Sequence, residues 1–145
     1  MPFITEERGQ SLVELALTLP IMVFVLIGGA DLGRAYALQL AVQNGARAGA
    51  EAAAIDSSPT AALAEARARD EMARTPGMDS TAPTVTVNFK QSDGVTSCLT
   101  TPTVANPCFV TVRVIHTFNT VIPWPLIPNT ATFDRATTMR TIKGP

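Results

Sequence analysis

From Leu12 to Ala30 the chain is apolar, broken only by Glu14, Thr18 and Pro20. As a helix at about 1.5 Å per residue this run spans roughly 28 Å, close to the ~30 Å hydrocarbon core of a bilayer. Pro20 would free one backbone carbonyl inside it. Asp31 to Ala54 follows without proline and is rich in Ala, Leu, Gln and Arg, so a continuous helix is expected from about Ser11 to Ala54. Asp56-Ser57-Ser58-Pro59 reads as a break, with Ser58 as N-cap and Pro59 at the first position of a second helix ending near Arg74, before Pro76-Gly77. Leu63, Ala66 and Met72 would form its weak apolar face, and Glu65, Arg67, Arg69, Asp70 and Glu71 a solvated one.

The periodicity then changes from helical to alternating. In Pro83–Lys90 the apolar positions Val85, Val87 and Phe89 alternate with polar ones, the mark of a strand with one buried face. Cys108–Phe118 repeats the pattern with Cys108, Val110, Val112, Val114 and Phe118, and His116 falls on the same side. Ala131–Ile142 is a third, less regular strand. Composition agrees: residues 1–74 hold 17 Ala and 3 Thr, residues 75–145 hold 4 Ala and 16 Thr, and these types favour helix and strand respectively. The expected fold is α+β: a long N-terminal transmembrane helix, a short second helix, and an antiparallel sheet of about three strands packed on the distal half of the long helix.

Charge and reactive residues narrow the function classes. With 11 Lys+Arg against 12 Asp+Glu among 145 residues, no basic footprint for nucleic acid is present. One His and two Cys cannot complete a four-ligand metal site or a His-based catalytic set, and no glycine-rich phosphate loop occurs. Neither enzymatic activity nor a cofactor or metal is expected, and His116 reads as structural. Cys98 and Cys108 bracket the segment between the first two strands. A disulfide there would close a loop of about 11 residues, stabilise by roughly 2.5–3 kcal/mol and place the domain outside the cytoplasm. The alternative is two free thiols, one of them buried.

Three further features bear on contacts. Gly29, Gly33, Ala37, Ala41, Gly45 and Gly49 recur every four residues. Such a stripe either lets two helices approach closely or belongs to an Ala-rich helix under an ordinary domain. The apolar, proline-rich Val121–Pro128, with Trp124, Leu126 and Ile127, cannot be a central strand. It is either a loop that contacts a partner or membrane, or a lid over the domain's own core with Trp124 as plug. Arg8 precedes the apolar run while Arg34 and Arg47 follow it, so the count of basic residues does not orient the helix.

Orientation comes from Arg8-Gly9-Gln10-Ser11-Leu12-Val13-Glu14, which resembles the signal cut by prepilin peptidases, with the cut between Gly9 and Gln10 on the cytoplasmic side. The wider segment is similar to the TadE-like family of tight-adherence (Tad) pilus proteins in Arg8-Gly9, Val13-Glu14, Leu19-Pro20, Asp31-Leu32-Gly33-Arg34-Ala35 and Gln43-Asn44-Gly45-Ala46-Arg47-Ala48-Gly49-Ala50. About the first 50 residues carry this resemblance, and the rest matches in layout. Gln10 departs from the Phe that follows the cut in many type IV pilins.

The resemblance implies a pilin-like, pseudopilin subunit of the bacterial cytoplasmic membrane, single-pass with its head outside, that leaves the bilayer for a pilus or its base. It implies a leader of residues 1–9, a helix over 10–54 with its span at about 12–30, and a head over 55–145. Copies of itself or other pilins, the prepilin peptidase, the assembly machinery and the bilayer would be its partners. A carboxylate within a membrane helix costs about 2.5–3.5 kcal/mol near the centre and less near an end. Glu14 could therefore pair with the new ammonium of Gln10 on a neighbouring subunit, or reach headgroups from near the interface. The alternatives are a main filament-forming pilin, and a membrane-tethered binding or adhesion module that keeps its leader.

Overall fold

The computed structural model describes residues 7–124 and 127–145. Residues 1–6 of the expected leader, and Leu126 of the proline-rich segment, lie outside them. Five elements follow one another: α1 (Glu7–Ile55), α2 (Ala61–Ala73), β1 (Thr84–Gln91), β2 (Cys108–Asn119) and β3 (Thr130–Arg140). A long N-terminal apolar helix, a short helix and an antiparallel sheet in the order β1-β2-β3 make an α+β, pilin-like fold. The chain divides into two compact units, Met1–Arg34 and Ala35–Pro145. The distal part of α1 thus belongs to the head.

In the first unit α1 continues through Pro20. The Thr18 hydroxyl donates to the carbonyl oxygens of Glu14 (2.9 Å) and Leu15 (3.3 Å), so this hydroxyl is satisfied inside the helix. The apolar side chains here lie open: Leu12, Leu17, Val25 and Leu26 are each 67–70% exposed.

In the second unit Val42, Ala46, Ala50 and Ala53 of α1 meet Ala64, Ala68 and Met72 of α2 and Val110, Val112 and Val114 of β2, all fully buried. Val85, Val87 and Phe89 of β1 and Phe133 and Met139 of β3 pack around this centre. The register pairs Val87 with Val112 and Phe89 with Val110 on one side of β2, and Val110 with Met139 and His116 with Phe133 on the other. The alternation of β1 and β2 therefore puts one face on the helices. The opposite face is polar. There Thr111 and Thr138 hydroxyls lie 2.8 Å apart, and Arg113 makes a two-pronged ion pair with Asp134.

Several boundaries differ from expectation. The N-cap of α2 is Thr60, not Ser58: its backbone is extended and its hydroxyl accepts from Leu63 N at 3.1 Å. The Asp56 carboxylate instead accepts from Ser58 N at 2.7 Å in the preceding turn, which leaves Pro59 outside the helix. The buried face of α2 is Ala64, Ala68 and Met72, spaced by four, because the small residues let α2 settle onto α1. Leu63 is half-buried and Ala66 exposed. Arg69 is not a solvated residue either. It donates to Glu65 Oε1 (2.8 and 3.0 Å) and to the carbonyl oxygens of Ser80 (2.7 Å) and Pro83 (3.3 Å), tying α2 to the turn before β1.

β3 ends at Arg140 rather than Ile142. Thr141 N donates to Cys108 O (2.9 Å) and Ile142 N to Ala54 O (3.1 Å). The second of these bonds supplies a donor to one of the last carbonyls of α1. Cys98 and Cys108 form a disulfide, with Cα atoms 5.4 Å apart. It anchors the long β1–β2 connection to the start of β2, and Gly144 N closes on the same loop at Thr100 O (3.2 Å).

Candidate functional site

The residues singled out in the sequence fall into separate groups. The first is at the start of α1. Gln10 and Glu14 stand one turn apart on one face, and the Gln10 amide donates to Glu14 Oε1 at 3.2 Å. Glu14 is the one acidic residue of the apolar stretch from Gly9 to Ala30. Gly9 is in the helix with open space around its Cα. Within the described residues α1 is long and apolar enough to cross a membrane, and its most apolar window is entirely unburied. An N-terminal helix of this kind suggests membrane anchoring.

The small-residue stripe divides in two. Gly29 and Gly33 have no atom within 4 Å of where a Cβ would stand. Ala37 is half-buried and Ala41 buried. Gly45 and Gly49 are packed inside the chain itself. A Cβ on Gly45 would lie 2.7 Å from Met72 Cγ, and one on Gly49 would lie 2.6 Å from Ala64 O. The distal glycines thus let α2 approach the backbone of α1, and the proximal ones meet no such neighbour among the described residues.

Asp31 and Arg34 form a feature to which sequence reasoning gave no role. They sit just beyond the apolar run, and Arg34 Nη1 lies 3.1 Å from Asp31 Oδ1. Asp31 is 5% exposed. The i, i+3 spacing of opposite charges at the end of a span is the signal that could have found the pair.

The head carries polar clusters with plain structural causes. The Thr81 hydroxyl and amide hold the Asp79 carboxyl below its usual range, and Thr96 does the same for Asp93. The hydrogen bond from Arg113 lowers the Asp134 carboxyl, and Asp134 in turn raises the guanidinium. Partial burial pushes the His116 imidazole down, against the attraction of Asp79. No group of three or more His, Cys, Asp or Glu side chains among the described residues is placed to hold a metal ion.

In the β2–β3 connection Asn129 organises the loop. Its Oδ1 accepts from Trp124 N (2.5 Å) and its backbone oxygen from Thr120 N (3.0 Å). Trp124 is half-buried and Ile127 is 62% exposed.

These groups are contact-making rather than bond-making: an apolar helix with one carboxylate, a helix pair closed by glycines, and a covalently pinned head. No curated protein and no solved structure matches the chain. The family model described as TadE-like protein matches residues 9–51. That stretch covers the Gln10–Glu14 pair, the apolar run, Asp31–Arg34 and the glycine stripe, so the N-terminal part of the chain is similar to TadE-like proteins.

Proposed function

We propose that this chain is a pseudopilin-like structural subunit of a bacterial Tad or type IV-like pilus or secretion system. A prepilin peptidase cuts it between Gly9 and Gln10, and it assembles with copies of itself or with other pilins through α1. The observation that carries the reading is the placement of Gln10 and Glu14 on one helical face at the start of an otherwise apolar, open stretch. Cutting at Gly9 turns the amide nitrogen of Gln10 into an ammonium. A carboxylate one turn away in low dielectric then has a cation within reach, in its own chain or on a staggered neighbour, which offsets the cost of holding Glu14 in the bilayer. The disulfide-pinned head suits an oxidising compartment outside the cytoplasm.

The test is the intact mass and N-terminal sequence of the protein recovered from its native membrane or filament. A chain that starts at Gln10 is the expected result. A chain that retains residues 1–9 in the assembled state would overturn the processing step. It would favour a tethered binding or adhesion module, which has no use for the cut.

A further inference from the structure

The two edges of the sheet are finished differently. Beside β1 the chain turns back along the strand: Gln91 N donates to Thr96 O at 2.8 Å, and Lys90 and Ser97 form an antiparallel bridge. β3 is the other edge. Thr141 N donates to Cys108 O and Thr120 N to Asn129 O, in step with the β2–β3 register. Hydrogen-bonded pairs alternate along an antiparallel ladder, so the odd-numbered residues of β3 turn their backbone groups to β2. Thr132, Asp134, Ala136, Thr138 and Arg140 turn theirs to the free edge. Among the described residues one group bonds there, the exposed Arg135 guanidinium on Asp134 O (3.0 Å), a side chain that a strand can displace.

The devices that usually blunt an edge are otherwise missing from β3. Thr130–Arg140 holds no proline, and its pairing with β2 runs without a bulge. Its core side is also incompletely covered. Val110, Val112 and Val114 of β2 are fully buried, whereas Phe133 and Met139, beside them on β3, are half-buried. A further strand along this edge would take up the free backbone groups and cover both side chains.

We propose that β3 pairs with β3 of a second copy of this chain, antiparallel and centred on Ala136, so that the two heads share one sheet. A two-fold axis through the sheet keeps equivalent faces on the same side. Centring on Asp134 or Arg135 would set like charges directly opposite, which is destabilising. Centring on Ala136 pairs Thr132–Arg140 along its length and sets Ala136, a small exposed residue, against itself. Phe133 of each copy then lies opposite Met139 of the other on the core side, a favourable sulfur–aromatic pairing. On the outer side Asp134 lies diagonal to Arg140 of the other copy, within reach of a long side chain. Centring on Thr137 shortens the overlap to Asp134–Arg140 and loses the Phe133–Met139 pair. Such a contact closes at two copies. It adds to assembly through α1 and does not rest on it.

The test places a cysteine on the proposed axis. Residues opposite each other in a hydrogen-bonded pair have Cα atoms about 5.5 Å apart, inside the disulfide range of about 4.4–6.8 Å. Full-length Ala136→Cys in its native membranes, mildly oxidised, is expected to run mostly as a dimer on a non-reducing gel. Thr138→Cys, on the same face but opposite Asp134, is expected to stay monomeric. Ala136→Asp sets two carboxylates against each other at the axis. In detergent solution it is expected to lower the dimer fraction of the full chain at least tenfold, with the circular dichroism spectrum of the parent. Equal cross-linking of both cysteine variants would mean random collision or another register and overturn the proposal. A dimer that survives Ala136→Asp and does not cross-link at residue 136 would place the contact elsewhere, as on α1, and overturn it too. A parent chain that is monomeric at every concentration, with no cross-link, would do the same.

Discussion

The Cα of Gly49 faces the carbonyl oxygen of Ala64 so closely that a Cβ would stand 2.6 Å from it. The neighbour is backbone, so it yields only if α2 moves as a body. Gly49→Ala is expected to lose about 1–3 kcal/mol to overpacking, set against roughly 1 kcal/mol gained in helix propensity, and thus to lower the melting temperature of the head. Gly33→Ala, with open space around it, is expected to leave that temperature unchanged. A Gly33→Leu chain that is inserted and folded but absent from filaments would show that the proximal glycines face a neighbouring subunit. Normal assembly of that variant would remove them from any helix contact.

Glu14 is expected to matter in assembly rather than in folding. Its side chain accepts from Gln10 within the first unit of the chain, so Glu14→Ala should leave the head's thermal unfolding as it is. The same change is expected to cut filament or assembly yield several-fold if the charge pairing holds. Glu14→Gln, which keeps the shape but not the charge, should fail equally. Normal yields for both variants would remove the pairing.

Removing the disulfide by Cys98→Ser/Cys108→Ser frees a connection whose ends are ten residues apart. A loss of about 2.5–3 kcal/mol is expected on the chain-entropy account, read as a lower denaturant midpoint. Hydrogen exchange should rise over 92–107, and also over 141–144, because Thr141 and Gly144 bond to Cys108 and to the loop.

Arg69 binds the carbonyl oxygens of Ser80, Thr81 and Pro83 before β1 as well as Glu65. Arg69→Met keeps the stem and removes the donors. The expected cost is about 1–3 kcal/mol, the range for part-buried charged hydrogen bonds, with faster amide exchange over 75–83. Arg67→Met, at an exposed position of the same helix, is the control and should be near neutral.

Acid should weaken the head. Asp79, Asp93 and Asp134 have folded values below the ordinary 3.8. The unfolded chain therefore binds more protons as pH falls, and the stability these groups give above 3.8 is lost as pH drops through their folded values. His116 acts in the same sense at higher pH. Its folded value lies below 6.5, so the neutral ring contributes fully above 6.5 and less as pH falls through the folded value. Melting temperature against pH should decline below 6.5 and again below about 4. His116→Gln should flatten the first decline, and Asp134→Asn part of the second.

Much of this protein can be read directly from its residues. The order of elements, the apolar run and the alternation that puts Val85, Val87 and Phe89 beside Val110, Val112 and Val114 all follow from local pattern, whereas the choice between a disulfide and two free thiols at Cys98 and Cys108 was made only by their approach in the fold. Periodicity and chain length act over a few residues, so one dimension suffices to express them. The similarity of residues 9–51 to TadE-like proteins lies in the same contiguous stretch.

Tertiary structure decided what depends on which surface meets which. The glycine stripe is a single motif in the sequence, yet packing commits Gly45 and Gly49 to α2 and leaves Gly29 and Gly33 open, because α2 is long enough to cover only the distal half. Thr60 rather than Ser58 caps α2, since the cap is chosen by the oxygen that reaches Leu63 N. Arg69 reads as a surface charge until the turn before β1 folds back over it. The approach of Val112 in β2 to Gly49 in α1 is a relation between residues more than sixty positions apart that no local pattern carries.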